Sequence, residues 1–206
     1  MKPFLILSFA LTVVASQAQT FFSTLGPGDS YIQNIGRAIS GANNSITQLH
    51  GEWGWQFSAG ATGLVRQIKV GAHHLTGANE AIIRIHANGA GDTMGTILGT
   101  YQFGNMAPFN TTAPVIQIGI ANPTVQLNQG TKYWISMAPT SLDTYAAWND
   151  CDTNQFGRMS VSSDGVNYSY VNNMPFSAFE MSAVPEPSTL AAFGLFAMIL
   201  NRRRRR

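Results

Sequence analysis

The sequence predicts an all-β domain in residues 19–183, folded as an antiparallel two-sheet β-sandwich of jelly-roll-like form. Apolar runs in this part are short and rich in β-branched and aromatic residues. Gly, Asn, Pro and Asp interrupt these runs about every 8–12 residues, a spacing typical of sandwiches and barrels. No run has the period of a long amphipathic helix.

Turn sequences separate the predicted strands. Asn88-Gly89 and Asp164-Gly165 favour tight turns, because these residue types tolerate positive φ angles. The predicted strands, in chain order, are Arg37–Ser40, Trp53–Ser58, Leu64–Ala72, Glu80–Ala87, Gly95–Phe103, Val115–Ile120, Thr124–Leu127, Tyr133–Met137, Thr144–Asn149, Arg158–Ser162, Tyr168–Val171 and Ser177–Met181.

Two of these runs alternate with period two, which turns one set of side chains inward and the other towards water. In one run the two sets are Leu64, Ile68 and Val70 against Val65, Gln67 and Lys69. In the other run they are Ala81, Ile83 and Ile85 against Ile82, Arg84 and His86.

The first 18 residues have the three parts of a secretory signal peptide. Lys2 supplies the positive start, Phe4–Val14 is the apolar segment, and Ser16-Gln17-Ala18 places small residues at the cleavage site. The sequence therefore predicts export through the Sec machinery and cleavage after Ala18. The alternative is an uncleaved N-terminal anchor.

The last 23 residues, 184–206, form a second signal. A polar motif at 184–189 leads into a predicted hydrophobic helix at 188–201 and an arginine tail at 202–206. Prolines keep the motif extended, and Ser188 or Thr189 can cap the helix. Residues 188–200 reach only about 20 Å as a helix, whereas a bilayer core is about 30 Å thick, but arginine side chains can snorkel to the interface.

Five arginines beside one apolar segment predict a cytoplasmic C-terminus before processing, with the body outside. A buried terminal helix and a basic tail that grips nucleic acid are the alternatives. The body contains no other basic patch, which argues against nucleic acid as a partner.

Pro185, Glu186 and Pro187, followed by the apolar run and the arginines, resemble the PEP-CTERM sorting signal of bacteria that make exopolysaccharide. The resemblance implies an exosortase-type enzyme as a processing partner, and a protein held in the membrane or at the cell surface. Phe21–Tyr31 and Gly130–Ser136 resemble the exported choice-of-anchor domain, type R, whose members precede varied sorting signals.

Charge is scarce in the body. Six basic and nine acidic residues remain in residues 19–183, a net charge of −3, which again disfavours nucleic acid. Cys151 is the only cysteine, so no disulfide can form within the chain. We expect Cys151 to be buried or incidentally exposed.

Two weak metal patterns occur. Asp150, Asp152 and Asn154 place oxygen ligands at alternate positions, but Gln155 and Val161 stand where a helix–loop–helix calcium site needs Gly and Glu. A structural calcium in an irregular loop is left open, beside the alternative of an Asx-rich turn. His86 could meet His73 or His74 across strands, a weak metal signal.

The sequence predicts no catalytic residues, cofactor or enzyme activity. It contains no Gly-x-Ser-x-Gly elbow and no His-Glu-x-x-His. The candidates for a glycosidase pair, among the nine acidic residues of the body, are Glu52, Glu80, Asp92, Asp143, Asp150, Asp152 and Asp164.

Trp148 with Asn149 is the best candidate for a sugar platform, against the alternative that Trp148 packs in the core. The sequence thus favours a non-catalytic, surface-anchored protein of the envelope or extracellular matrix. A carbohydrate-binding module for matrix exopolysaccharide is the alternative, and a hydrolase is a third.

Overall fold

A computed structural model of the protein describes residues 19–183, of which Thr20–Ala183 form one compact unit. No helix occurs within residues 19–183, and the prediction of an all-β domain is confirmed. The first eight strands are β1 (Gln19–Ser23), β2 (Gly36–Ser40), β3 (Glu52–Ser58), β4 (Gly63–Leu64), β5 (Gln67–Val70), β6 (Ala72–Thr76), β7 (Glu80–Asn88) and β8 (Met94–Gly104). The remaining eight are β9 (Ala107–Pro108), β10 (Ile116–Gly119), β11 (Gln126–Leu127), β12 (Lys132–Pro139), β13 (Tyr145–Asn149), β14 (Phe156–Ser162), β15 (Ser169–Pro175) and β16 (Phe179–Ala183).

The largest sheet has six antiparallel strands in the order β15-β14-β3-β12-β7-β8. Ile135 of β12 lies opposite both Trp55 of β3 and Ile85 of β7, and all three side chains are fully buried. Alternation along these strands puts these residues on the core face of the sheet.

Two four-stranded sheets have the orders β1-β16-β5-β10 and β2-β13-β6-β9, and β11 pairs with β4 alone. Gly71 links β5 to β6 and so connects the two four-stranded sheets. Its amide donates to the Ala178 carbonyl at 3.0 Å, and its carbonyl accepts from the Asn149 amide at 2.9 Å. A Cβ at Gly71 would lie 2.7 Å from the Tyr31 ring, so this crossing needs glycine.

One hydrophobic core contains residues from the six-stranded sheet and from both four-stranded sheets. Burial of each large apolar side chain contributes roughly 1.5–3 kcal/mol. The largest fully buried members of this core are Trp55, Trp148, Phe21, Phe179, Ile39 and Ile68.

Every predicted strand overlaps an observed one, but Leu64–Ala72 does not form a single strand. β4 ends at Leu64 and β5 begins at Gln67, so the alternation is not continuous across the break. Val65 is therefore fully buried and Leu64 is exposed, although Leu64 shares its parity with the buried Ile68. β1, β9 and most of β6 were not predicted.

Hydrogen bonding groups the strands into four sheets, whereas the sequence predicted two. Jelly-roll-like connectivity stays a prediction. Both the signal peptide at 1–18 and the hydrophobic helix at 188–201 lie outside the described residues. Within residues 19–183, no helix is long and apolar enough to cross a bilayer.

Candidate functional site

A cleft of about 460 Å³ opens where β3 ends and β14 begins. The last residues of β3 and the first residues of β14 form two of its walls. Phe22 of β1 and Phe176, which precedes β16, complete it. Concave sites that combine apolar walls with a few placed polar groups are the usual form of ligand sites.

The cleft exists because two neighbouring strands separate. β3 and β14 pair from Glu52↔Ser162 to Trp55↔Met159 and no further. The register of β14 against β15 also shifts between Gly157 and Met159. A Cβ at Gly157 would collide with the Phe176 ring, so this irregularity requires glycine.

Aromatic rings line the inner part of the cleft and one ring lies at its rim. Phe22 packs against Phe57 and Phe176 with centroid separations of 5.4 and 5.5 Å. Phe57 and Phe176 are buried, whereas Phe156 is 54% exposed. The Phe156 ring is therefore available to a ligand in a way that the inner rings are not.

Two glutamines add polar groups from different elements. Nε2 of Gln56 donates to Asn88 Oδ1 at 2.7 Å, and Nε2 of Gln155 donates to the Ser23 carbonyl at 3.2 Å. Both residues line the cleft. One N–H of each amide is engaged, which leaves the second N–H as a donor and the side-chain oxygen as an acceptor.

Arg158 brings a positive charge to the cleft and is not paired with a carboxylate of residues 19–183. Its Nη1 donates to Asn172 Oδ1 at 3.2 Å, and its guanidinium carbon lies 5.4 Å from the Tyr170 ring centroid. Its Nε is buried and has no hydrogen-bond partner among the described residues. Within the described part of the chain, no acidic residue lines the cleft.

A second polar cluster lies at the other end of β3, on the sheet face opposite the core. Glu52 is only 1% exposed. Both of its carboxylate oxygens accept from Arg84 Nη1, at 3.0 and 3.1 Å, and Oε1 also accepts from Ser136 Oγ at 2.9 Å. Burial, and then the nearby charge of Glu52, raise the pKa of Tyr168. This cluster joins β3, β7 and β12 through side chains.

This cluster also brings together a serine, a histidine and a carboxylate. These are the residue types that carry out hydrolysis by a serine nucleophile. His86 Nε2 lies 3.0 Å from Ser136 Oγ, and burial lowers the pKa of His86. However, Ser136 is fully buried and donates its proton to Glu52. In this arrangement histidine does not receive the serine proton, and a substrate carbonyl has no path to Oγ.

Trp148 and Asn149, the predicted sugar platform, are both fully buried. The Trp148 indole N–H donates to the Ala178 carbonyl at 3.0 Å, and its ring lies 5.9 Å from that of Phe179. Asn149 Oδ1 lies 2.7 Å from His73 Nδ1. The interpretation of Trp148 as a platform is therefore wrong for this structure, because neither face of the ring is open to a sugar.

The residues of the predicted calcium loop have separate neighbours. Asp150 Oδ1 lies 3.6 Å from Arg37 Nε, and burial raises the pKa of Asp150. Asp152 is exposed beside Gly26, and Asn154 has a φ angle of 52°. No three His, Cys, Asp or Glu side chains converge as metal ligands within residues 19–183. A calcium ion at this loop stays a prediction.

The positions of the histidines and of the cysteine bear on two expectations from the sequence. His73 lies on β6 and His86 on β7, which belong to different sheets, so they do not meet across neighbouring strands. Cys151 is buried, with its Sγ 3.8 Å from the Gln155 carbonyl.

Sequence reasoning missed Phe156 and Arg158 as candidate site residues. The available signal was Gly157, because a glycine at the start of a strand often marks an irregularity or a close approach. The exposure of Phe156 and the missing carboxylate at Arg158 depend on non-local packing, which the sequence pattern does not show.

Residues 183–206 match the family model described as the PEP-CTERM protein-sorting motif. The match includes Pro185, Glu186 and Pro187 and confirms the sorting signal. The motif indicates export, processing by an exosortase, and a location at the cell surface or membrane. No curated protein matches the chain.

Proposed function

We propose that this chain is a surface-anchored, non-catalytic protein of the cell envelope or extracellular matrix. The observation that carries the proposal is the PEP-CTERM motif at residues 183–206. In this proposal the Sec machinery exports the chain, the C-terminus is cytoplasmic until the exosortase acts, and the hydrophobic segment holds the chain in the membrane meanwhile. The body is then a choice-of-anchor-type domain presented outside the cell.

The non-catalytic role is supported by the state of the buried polar groups. The Ser136–His86–Glu52 cluster is closed to solvent, and the serine proton is already committed to Glu52. At the other end of β3, no carboxylate from residues 19–183 lines the cleft to serve as a general acid or base.

Carbohydrate binding is the second candidate function, and the cleft is the observation that favours it. An exposed aromatic ring beside fixed amide groups suits a sugar, which offers one apolar face and many hydroxyl groups. The proposed platform is therefore Phe156 in place of Trp148.

The sorting proposal is tested by the intact mass of the protein recovered from its native cell surface. We expect a mass that runs from Gln19 to a residue near Pro185–Pro187, with or without an added group. A surface form that extends to Arg206 would contradict exosortase processing and indicate a plain membrane anchor.

Variants of the motif sharpen this test. Replacing Pro185 and Pro187 with alanine should abolish the processed surface form, because both residues belong to the matched sorting motif. The matched control is Pro123→Ala, a proline between β10 and β11, which should leave the processed mass unchanged.

A further inference from the structure

We propose that the cleft between β3 and β14 binds an acidic saccharide, with Arg158 taking a uronate carboxylate and Phe156 taking the face of the sugar ring. This inference rests on the carbohydrate-binding candidate function and gives it a ligand class. It does not depend on how the chain is sorted.

The charge of the ligand follows from how the basic residues are paired. Arg37, Lys69, Arg84 and Lys132 each lie within 3.6 Å of a carboxylate oxygen. Arg158 has instead an amide and an aromatic ring as neighbours, and its Nε is unsatisfied among the described residues. The buried Nε is not open to a ligand, but Nη1 lies at the exposed side of the guanidinium. A guanidinium without a carboxylate partner, in a cleft that no acidic residue of 19–183 lines, is a site for an anion that accepts hydrogen bonds.

A carboxylate on a bulky ring fits this cleft better than a bare anion does. Phe156 and Arg158 are two residues apart on β14, about 7 Å along a regular strand, and both line the cleft. That spacing is on the scale of one sugar ring and its carboxyl substituent. A small inorganic anion would make no favourable contact with the apolar wall formed by Phe22 and Phe57.

Hydroxyl groups complete the match. Gln56 and Gln155 both line the cleft, and each amide contains an oxygen that can accept a hydrogen bond. Sugar hydroxyls can turn to donate to either oxygen. A neutral sugar would use these contacts equally well, but it would leave the Arg158 guanidinium without an anionic partner.

Nucleic acid is a poor fit for the same cleft. The body carries a net charge of −3, and one arginine does not make the basic surface that phosphate backbones require. An acidic peptide also carries carboxylate groups, as a uronate does, so the experiment includes such a peptide as a separate probe.

The test is a calorimetric titration of the full-length chain, purified in mild detergent, with three probes. The probes are an oligogalacturonate, a neutral galactose oligosaccharide of the same length, and a short glutamate-rich peptide. We expect the oligogalacturonate to bind, the neutral sugar to bind more weakly, and added salt to weaken only the uronate complex.

Two variants assign the contacts. Arg158→Gln should weaken uronate binding at least about tenfold and leave neutral-sugar binding unchanged, because it removes a charge-assisted hydrogen bond. Phe156→Ala should weaken both sugars. The controls are Lys132→Gln, whose lysine already pairs with Asp92, and Ile97→Ala, which is 54% exposed like Phe156.

The proposal is overturned if the oligogalacturonate does not bind, or if it binds the Arg158→Gln chain as well as the unaltered one. It is also overturned if the peptide binds with the same dependence on Arg158. Arg158→Gln should still reach the cell surface with the processed mass. A failure of binding is therefore distinct from a failure of sorting, which the motif variants report.

Discussion

The two ends of β3 carry similar residue types and differ in access. At one end, Glu52 is buried within a cluster that includes Arg84, Ser136 and His86, here called the closed end. At the other, Gln56–Ser58 line the cleft, here called the open end. Charge and aromatic rings occur at both ends. The comparison teaches that pairing and exposure, not residue type, separate a structural cluster from a candidate site.

The neighbouring strand β14 accounts for this difference. At the closed end β14 stays in register with β3, and Ser162 lies opposite Glu52. The turn after β14 is held by Asp164, whose carboxylate accepts from the amides of Val166 and Asn167. At the open end this pairing stops and the space between the strands becomes the cleft.

The largest expected effect is at the closed end, from Arg84→Met. This change leaves the Glu52 carboxylate, 1% exposed, without the Arg84 Nη1 group that donates to both of its oxygens. Removal of one partner of a buried pair costs about 3–5 kcal/mol of unfolding free energy. Denaturant unfolding of the full chain measures it, with Lys132→Met, at an exposed ion pair, as the control. A loss no greater than that of the control would mean that the closed end is not a stabilising network.

A smaller effect is expected at the open end from Gly157→Ala. The added Cβ would collide with the Phe176 ring, and overpacking of this kind costs about 1–3 kcal/mol. The control is Gly119→Ala, where a Cβ would have no neighbour within 4 Å. If both variants unfold at the same denaturant concentration, close packing of Phe176 on Gly157 does not shape the cleft.

The smallest effect is a dependence of stability on pH at the closed end. Burial lowers the pKa of His86, so the unfolded chain takes up this proton at a higher pH than the folded chain does. Stability from this group is therefore complete above the unfolded value of about 6.5 and decreases as the pH falls below it towards the folded value. His86→Gln should show a shallower decrease of the unfolding midpoint between pH 7.5 and 5 than the unaltered chain. Equal slopes would contradict this assignment.

The strands could be predicted because their signal is local. Ala81, Ile83 and Ile85 alternate in the sequence, and all three are fully buried in the structure. The prediction of one continuous strand over Leu64–Ala72 was wrong, because hydrogen bonds to distant residues interrupt the strand between Leu64 and Gln67. Val65 donates to Val125, which no pattern near Val65 indicates.

The site was less predictable than the fold. Tryptophan suits both a core and a platform, and only packing against Phe179 and Ala178 decides that Trp148 belongs to the core. Carboxylates are usually exposed, but Glu52 is buried. Arg84 and Ser136 lie opposite each other on adjacent strands, and both donate hydrogen bonds to Glu52. The sorting motif, in contrast, is read from contiguous residues, so the sequence alone was sufficient for it.

The most direct test of the account is amide hydrogen exchange of the full chain, measured by mass spectrometry with and without the oligogalacturonate. We predict slower exchange in residues 56–58 and 155–158 when the sugar is present, and no change in residues 163–167, the turn at the closed end. Protection at the closed end, or no protection anywhere in the chain, would contradict the claim that the open end of β3 is the binding site.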